Sequence, residues 1–97
     1  MYDVFAIYSK PADPAAFDKH YAEVHIPLAQ AMPDLVELTW GKVDGGDESA
    51  PYLICRMTYP DAATAAASLS SSQGRAAVAD LAHFAAAGVS VYNVVRS

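Results

Sequence analysis

Phe17 to Leu35, FDKHYAEVHIPLAQAMPDL, reads as one amphipathic helix that runs into a proline-containing turn. Phe17, Tyr21, Val24 and Leu28 recur at i, i+4, i+7 and i+11, the spacing of a single buried stripe. At roughly 100° per residue, His25 falls on one edge of that stripe and His20 on the opposite edge. A histidine beside the apolar face of a helix end can look into a cavity and still reach water. Asp13 and Pro14 supply the N-cap and the first helical position. The helix is expected to run to about Gln30 or Ala31. Pro27 removes one backbone donor inside the pattern, so it should kink or end the regular helix at Ile26 and swing His25 out of the smooth helix surface.

The rest of the chain alternates around this helix. Tyr2 to Ser9 reads as a strand with two largely apolar faces, closed by Pro11. MPDL turns into a second strand, Val36 to Val43, and Gly45-Gly46 punctuates the connection from Asp44 to Ala50. Pro51 to Tyr59 is a third strand, expected to form an antiparallel hairpin with the second. Pro60 stops it, and Asp61 caps a short alanine-rich helix, Ala62 to Leu69. After Ser70-Ser71-Ser72, a further helix over Gln73 to Ala87 carries Val78, Leu81 and Phe84/Ala85 on one face, with Gly88 at its C′ position. Val89 to Arg96 is a β-branched final strand. The order β-α-β-β-α-β predicts an α+β, ferredoxin-like fold: an antiparallel four-stranded sheet with helices on one face, forming a single domain over residues 1–97.

Such a sheet leaves its other face bare. The chain is 54% apolar over only 97 residues, and so small a fold has limited interior. The expectation is a homodimer that stacks two sheets face to face. A net charge of −5 and the absence of any basic run argue against nucleic acid and anionic membranes as partners. No stretch approaches the ~20 apolar residues of a membrane span, and the N-terminus lacks a signal-peptide pattern. The lone Cys55 permits no intrachain disulfide and fits a cytoplasmic location.

Phe17, Tyr21, His25, Pro27-Leu28 and Met32-Pro33-Asp34-Leu35 resemble the F...Y/W...H.PL....PGL pattern of the EthD-like family, named for ethyl tert-butyl ether degradation, within the dimeric α+β barrel superfamily. Asp34 stands where glycine is usual, and Tyr21 where tryptophan is common. The resemblance implies a homodimer with a small-molecule pocket in each barrel half. It also implies relatives that include lactone isomerases, small oxidative enzymes and polyketide-tailoring proteins, many without a metal or organic cofactor. The family is commonly labelled oxidoreductase. Of the functional residues, only His25 is carried over by the motif.

His25 can donate or accept a proton near neutrality, or hydrogen-bond an oxygen on a ligand; the plainer alternative is that it pins the helix end to a backbone carbonyl. A His20/Glu23/His25 metal site is conceivable but lacks the i, i+4 pair of a helical zinc motif, and no metal is expected. His83 reads as a surface residue. Tyr8, Tyr21, Trp40, Cys55 and Met57 are candidates for lining a substrate pocket, with Tyr52, Tyr59 and Tyr92 beside them; aromatic and thioether side chains give apolar walls with a few polar handles. Each could equally be ordinary sheet core. Cys55 has no motif supporting a reactive thiol. No phosphate loop, GxGxxG or GxSxG occurs. The sequence thus leads to a cofactor-independent oxidoreductase or isomerase acting on a small apolar, aromatic or lactone-like compound with His25 handling a proton. A carrier or a dimerisation module remains as the alternative.

Overall fold

A computed structural model describes residues 1–97. The first helical region begins as α1 (Pro14–His20), whose N-cap Asp13 accepts a hydrogen bond from the Ala16 amide. It ends as α2 (Ile26–Gln30). Between them Tyr21–His25 forms a single π-turn, in which the Ile26 amide donates to the Tyr21 carbonyl. Pro27 has no amide hydrogen to return to an earlier carbonyl, and the wider turn directly precedes it. The helix therefore continues past Ile26 instead of ending there.

The extra residue in that turn changes which side chains face inward. Phe17, Tyr21, His25 and Ala29 are buried, a spacing of four held throughout. Val24, expected in the stripe, is 41% exposed. His25, expected to swing outward, is 7% exposed. The chain then leaves α2 through a turn in which Asp34 holds a φ of 61°. That left-handed conformation suits glycine, and aspartate is among the few other residues that tolerate it.

β1 (Tyr2–Tyr8), β2 (Glu37–Lys42), β3 (Leu53–Tyr59) and β4 (Val89–Val95) form one sheet in the order β2-β3-β1-β4. Every pairing is antiparallel. This is the ferredoxin-like α+β arrangement. Register fixes the faces: Ala6 lies between Cys55 and Val91, and Tyr8 between Leu53 and Val89. Val4, Ala6, Tyr8, Leu53, Cys55, Met57 and Tyr59 belong to the buried core shared with Phe17, Tyr21, Ile26 and Met32. Strand alternation turns Phe5, Ile7, Ile54, Tyr92 and Val94 to the opposite face, where none of them is fully buried. Asp3 also lies there. Arg96 reaches it through Nη2 at 2.7 Å and Nε at 3.0 Å, Thr58 donates at 2.6 Å, and these bonds hold its carboxyl down at about 2.

The second helical region is α3 (Ala62–Ser70) and α4 (Ser72–Asp80), capped by Asp61 and Ser71. It stops earlier than its sequence pattern suggests. A 3₁₀ turn, Leu81–His83, follows α4, and Phe84 departs from helical backbone with φ −145°. That departure carries the Phe84 ring against Phe17 and His25, at centroid distances of 5.2 and 4.7 Å, so tertiary packing overrides local alanine propensity. Gly88, at φ 119°, opens β4 instead of closing a helix. Val78, expected on the apolar face of this helix, is 54% exposed; Ala77 and Asp80 are buried in its place.

Gly74, in the first turn of α4, lies against the backbone of Ser68 and Leu69 in the last turn of α3. A Cβ there would meet backbone, which cannot step aside. Gly74→Ala should cost about 1–3 kcal/mol, the range for overpacking a close contact. Chemical denaturation of both proteins checks it, and equal midpoints would refute it.

Candidate functional site

The helix-covered face of the sheet does not fill completely. A cavity of about 80 Å³ remains between β1, β3 and β4 on one side and α2, α3 and α4 on the other. Val4, Ala6, Tyr8, Cys55 and Met57 contribute from the sheet, Ala29 from α2 and Ala77 and Val78 from α4. Val78 and Val91, each more than half exposed, mark the rim. The walls are almost wholly apolar. Their polar atoms come chiefly from Tyr8, Tyr21, His25 and Cys55.

His25 reaches this cavity because of the π-turn. Its Nδ1 lies 3.0 Å from Oδ2 of Asp80, and its Nε2 lies 3.4 Å from the Tyr8 hydroxyl. Burial would raise the Asp80 carboxyl, but hydrogen bonds from His20 and His25 outweigh it and hold the group below the ordinary carboxylate value. An ionised carboxylate only accepts, so Nδ1 of His25 carries the hydrogen. Burial also pulls His25 below its ordinary value, against the opposing pull of Asp80. The imidazole is therefore neutral at pH 7, with an unprotonated Nε2 turned to Tyr8. A histidine oriented through one nitrogen by a carboxylate, with the other unprotonated and accepting only a long bond from a phenol, is the arrangement of a general base.

The two tyrosines are phenols, not phenolates. Burial drives both hydroxyls far above the ordinary tyrosine value. Tyr21 stacks on His25 at a centroid distance of 5.5 Å and on Phe17 at 5.7 Å. Its hydroxyl is buried beside the Tyr8 hydroxyl and the Cys55 thiol, and neither lies in hydrogen-bonding geometry with it. Leaving such a donor unpaired costs about 1–3 kcal/mol, a cost that an acceptor placed in the cavity would remove. Cys55 is no nucleophile here, because burial raises its thiol above the ordinary value.

Four of the pocket candidates, Tyr8, Tyr21, Cys55 and Met57, line this cavity with His25. Trp40 lies on edge strand β2, 43% exposed, with its ring edge-on to Tyr21 at 5.1 Å. It backs a wall without lining the cavity. Tyr59 is sealed in the core on Ser68, Tyr52 donates to Asp18 outside the cavity, and Tyr92 lies on the bare sheet face. Glu23 points to solvent, away from His20 and His25. The two histidines do meet, but on Asp80, which the sequence reading passed over. The signal was present: Ala77, Asp80, Leu81 and Phe84 share one helical stripe at i, i+3, i+4 and i+7, and a carboxylate on a buried stripe demands partners.

The EthD domain model matches residues 9–88, a span that includes α1, the π-turn, Asp80 and Phe84. The chain belongs to the EthD family. An uncharacterized 11.0 kDa protein from the thcB–thcC intergenic region of Rhodococcus erythropolis is 40% identical over 93 residues, covering 94% of this chain and 90% of that protein. The crystal structure of an EthD family protein from Bacillus halodurans superposes with a TM-score of 0.92 at 27% identity, covering 100% of this chain and 99% of that one. A dimeric ferredoxin-like protein from Thermobifida fusca shares the fold at a TM-score of 0.76 and 14% identity, covering 98% of this chain and 90% of that one. No helix of this EthD protein is long and apolar enough to cross a membrane.

Asp80 raises the proton affinity of His25, while burial lowers it. Asp80→Asn removes the first effect and keeps the second, so the His25 titration midpoint should move further below its present position. Ring-proton NMR titration checks this; an unmoved or higher midpoint would show that Asp80 does not govern His25.

Proposed function

We propose that this EthD protein is an enzyme that moves a proton on a small, neutral, mostly apolar molecule bearing one carbonyl or hydroxyl oxygen, without a metal or organic cofactor. The observation that carries the reading is the neutral, Asp80-oriented His25, whose unprotonated Nε2 faces an apolar cavity and accepts from the Tyr8 hydroxyl, beside the unpaired hydroxyl of Tyr21.

The chemistry follows from these groups. A carbonyl oxygen accepts a hydrogen bond from the unpaired Tyr21 hydroxyl, and the Tyr8 hydroxyl turns from Nε2 of His25 to the same oxygen, which leaves Nε2 open. Nε2 of His25 takes a proton from the carbon beside that carbonyl, and the C–H electron pair moves into an enolate held by the same phenols. The new charge on His25 is balanced by Asp80. Where the substrate carries a β,γ-double bond the enolate is a dienolate, and return of the proton to its γ-carbon moves the double bond into conjugation, an isomerisation that needs no electron acceptor. Of the two reaction classes implied by the family resemblance, isomerisation is thus the one these side chains complete by themselves. The cavity is far below the ~300–1,000 Å³ of drug-sized sites, so the substrate is small. Its apolar walls favour an uncharged aromatic or lactone-like skeleton.

A second copy of the chain is part of the proposal. Phe5, Ile7, Ile54, Tyr92 and Val94 form an apolar face that no helix of this chain covers, and a sheet-to-sheet homodimer would bury it. The T. fusca neighbour is described as dimeric, which supports a dimer here. We take the whole of residues 1–97 as one dimeric α+β barrel domain. The single buried cysteine is compatible with a reducing compartment, and we place the protein in the cytoplasm.

Two measurements test these readings. Incubated in D₂O with a panel of small lactones and aryl ketones, the protein should catalyse exchange of the α-hydrogens, and His25→Gln should slow that exchange by about 10²-fold or more. Line broadening of the probe without exchange would identify a carrier instead, and exchange unaffected by His25→Gln would remove His25 from the mechanism. Light scattering should give twice the 10.3 kDa chain mass, falling to one chain in Ile54→Lys; a wild-type monomer would overturn the dimer.

A further inference from the structure

We propose that His20 is a positioning residue that sets the proton affinity of His25 by competing with it for the one carboxylate of Asp80. The inference rests on the reading of His25 as the proton-handling group, but its primary test does not need a substrate.

The geometry is a carboxylate shared between two imidazoles. Nε2 of His20 lies 2.9 Å from Oδ1 and 3.1 Å from Oδ2 of Asp80, while Nδ1 of His25 takes Oδ2 at 3.0 Å. Asp80 itself is buried. The two histidines project to different sides. His25 faces the cavity. His20 faces an outer cleft, where it stacks on Phe84 at 5.2 Å and its side chain is 28% exposed. One imidazole thus opens on the cavity and the other on solvent, with a single negative charge between them.

One carboxylate balances one imidazolium. When His20 is protonated, Asp80 is already neutralised, and a second positive charge on His25 would be buried without a counter-ion of its own. When His20 is neutral, Asp80 is available to the imidazolium that forms on His25 after proton abstraction. His20 therefore lowers the proton affinity of His25 through the carboxylate the two share. The hydrogen bond from His20 acts in the same direction, because it draws charge density on Asp80 away from His25.

The other groups around the pair do not replace this effect. His25 is faced by the Tyr8 phenol from β1 and shares the cavity with the Tyr21 phenol and the Cys55 thiol, all three uncharged at neutral pH and raised further by burial. His20 is faced by His83 from the 3₁₀ turn, with ring centroids 6.4 Å apart. His83 is exposed and makes no bond to Asp80. Lys19 and Glu23, on either side of His20 in sequence, are exposed.

The test is a ring-proton NMR titration of His25 in wild type, His20→Asn, His20→Ala and His83→Gln. Removing His20 removes both a competing charge and a competing donor, so His20→Ala should raise the His25 midpoint by about half a pH unit or more. His20→Asn keeps an amide donor and should give a smaller rise. His83→Gln should leave the midpoint in place. An unmoved or lowered midpoint in both His20 variants, or an equal rise in His83→Gln, would overturn the proposal. Should one His20 variant fail to fold, the other carries the same test. If the exchange reaction is found, the acid limb of its pH profile should move with His25, to higher pH, in the His20 variants. A uniform loss of rate with an unshifted profile would mark His20 as structural only. If no reaction is found but the NMR midpoints move as stated, the competition stands and the catalytic reading alone falls.

Discussion

A five-residue π-turn decides what the helix-covered face of this protein can do. An α-helix with the same sequence would alternate spacings of four and three along its buried stripe. Phe17 and Tyr21 would then be followed inward by Val24, and His25 would lie at the stripe's edge. The i+5 bond from Ile26 to Tyr21 adds one residue to the turn, and the inward position passes from Val24 to His25. Pro27 makes the exchange inexpensive, because the amide that would otherwise lose its α-helical partner does not exist. The proline thus favours a distortion one turn ahead of itself, and the distortion places a titratable side chain in an apolar layer.

A buried imidazole in that layer needs a fixed partner, and α4 supplies it from an awkward position. Asp80 ends α4, where the helix dipole disfavours negative charge. Burial disfavours it too. The carboxylate stays ionised because two imidazole N–H groups bond to it. Here the helix that bears the histidines and the helix that bears the aspartate are tied by the same contact that orients the site. Phe84 completes the tie: by leaving the helix after Leu81–His83 it packs on both His20 and His25, and the early end of the helical region is the structural cost of that ring's placement.

Element order, the antiparallel sheet, both aspartate caps and the resemblance centred on His25 were all legible in the sequence, because each rests on local signals: strand alternation, Asx caps, and proline as a stop. What was not legible is non-local. Nothing in a 3.6-residue periodicity announces a π-turn, so Val24 was placed inside and His25 at the edge. Trp40 has the composition of a pocket residue but lies on an edge strand, and strand order is a property of the whole sheet. Asp80 was hidden by sixty residues of separation from His20, although its place on the Ala77–Phe84 stripe marked it as a carboxylate facing inward.

The two faces of the sheet impose opposite requirements on neighbouring residues, and β1 shows why they are compatible. Val4, Ala6 and Tyr8 face the helices, and Ala6 is small enough to leave the space that the cavity occupies between Cys55 and Val91. Asp3, Phe5 and Ile7 face the other way, and there Asp3 is fully satisfied by Thr58 and Arg96. On the bare face Asp3 is paired, and so are Arg56 and Glu37, whereas the Tyr21 hydroxyl in the cavity is not. A bare apolar face with these polar groups already satisfied is ready for a matching apolar surface. A cavity with a donor left over is ready for an acceptor. The same strand therefore separates a surface suited to assembly from a hollow suited to a ligand.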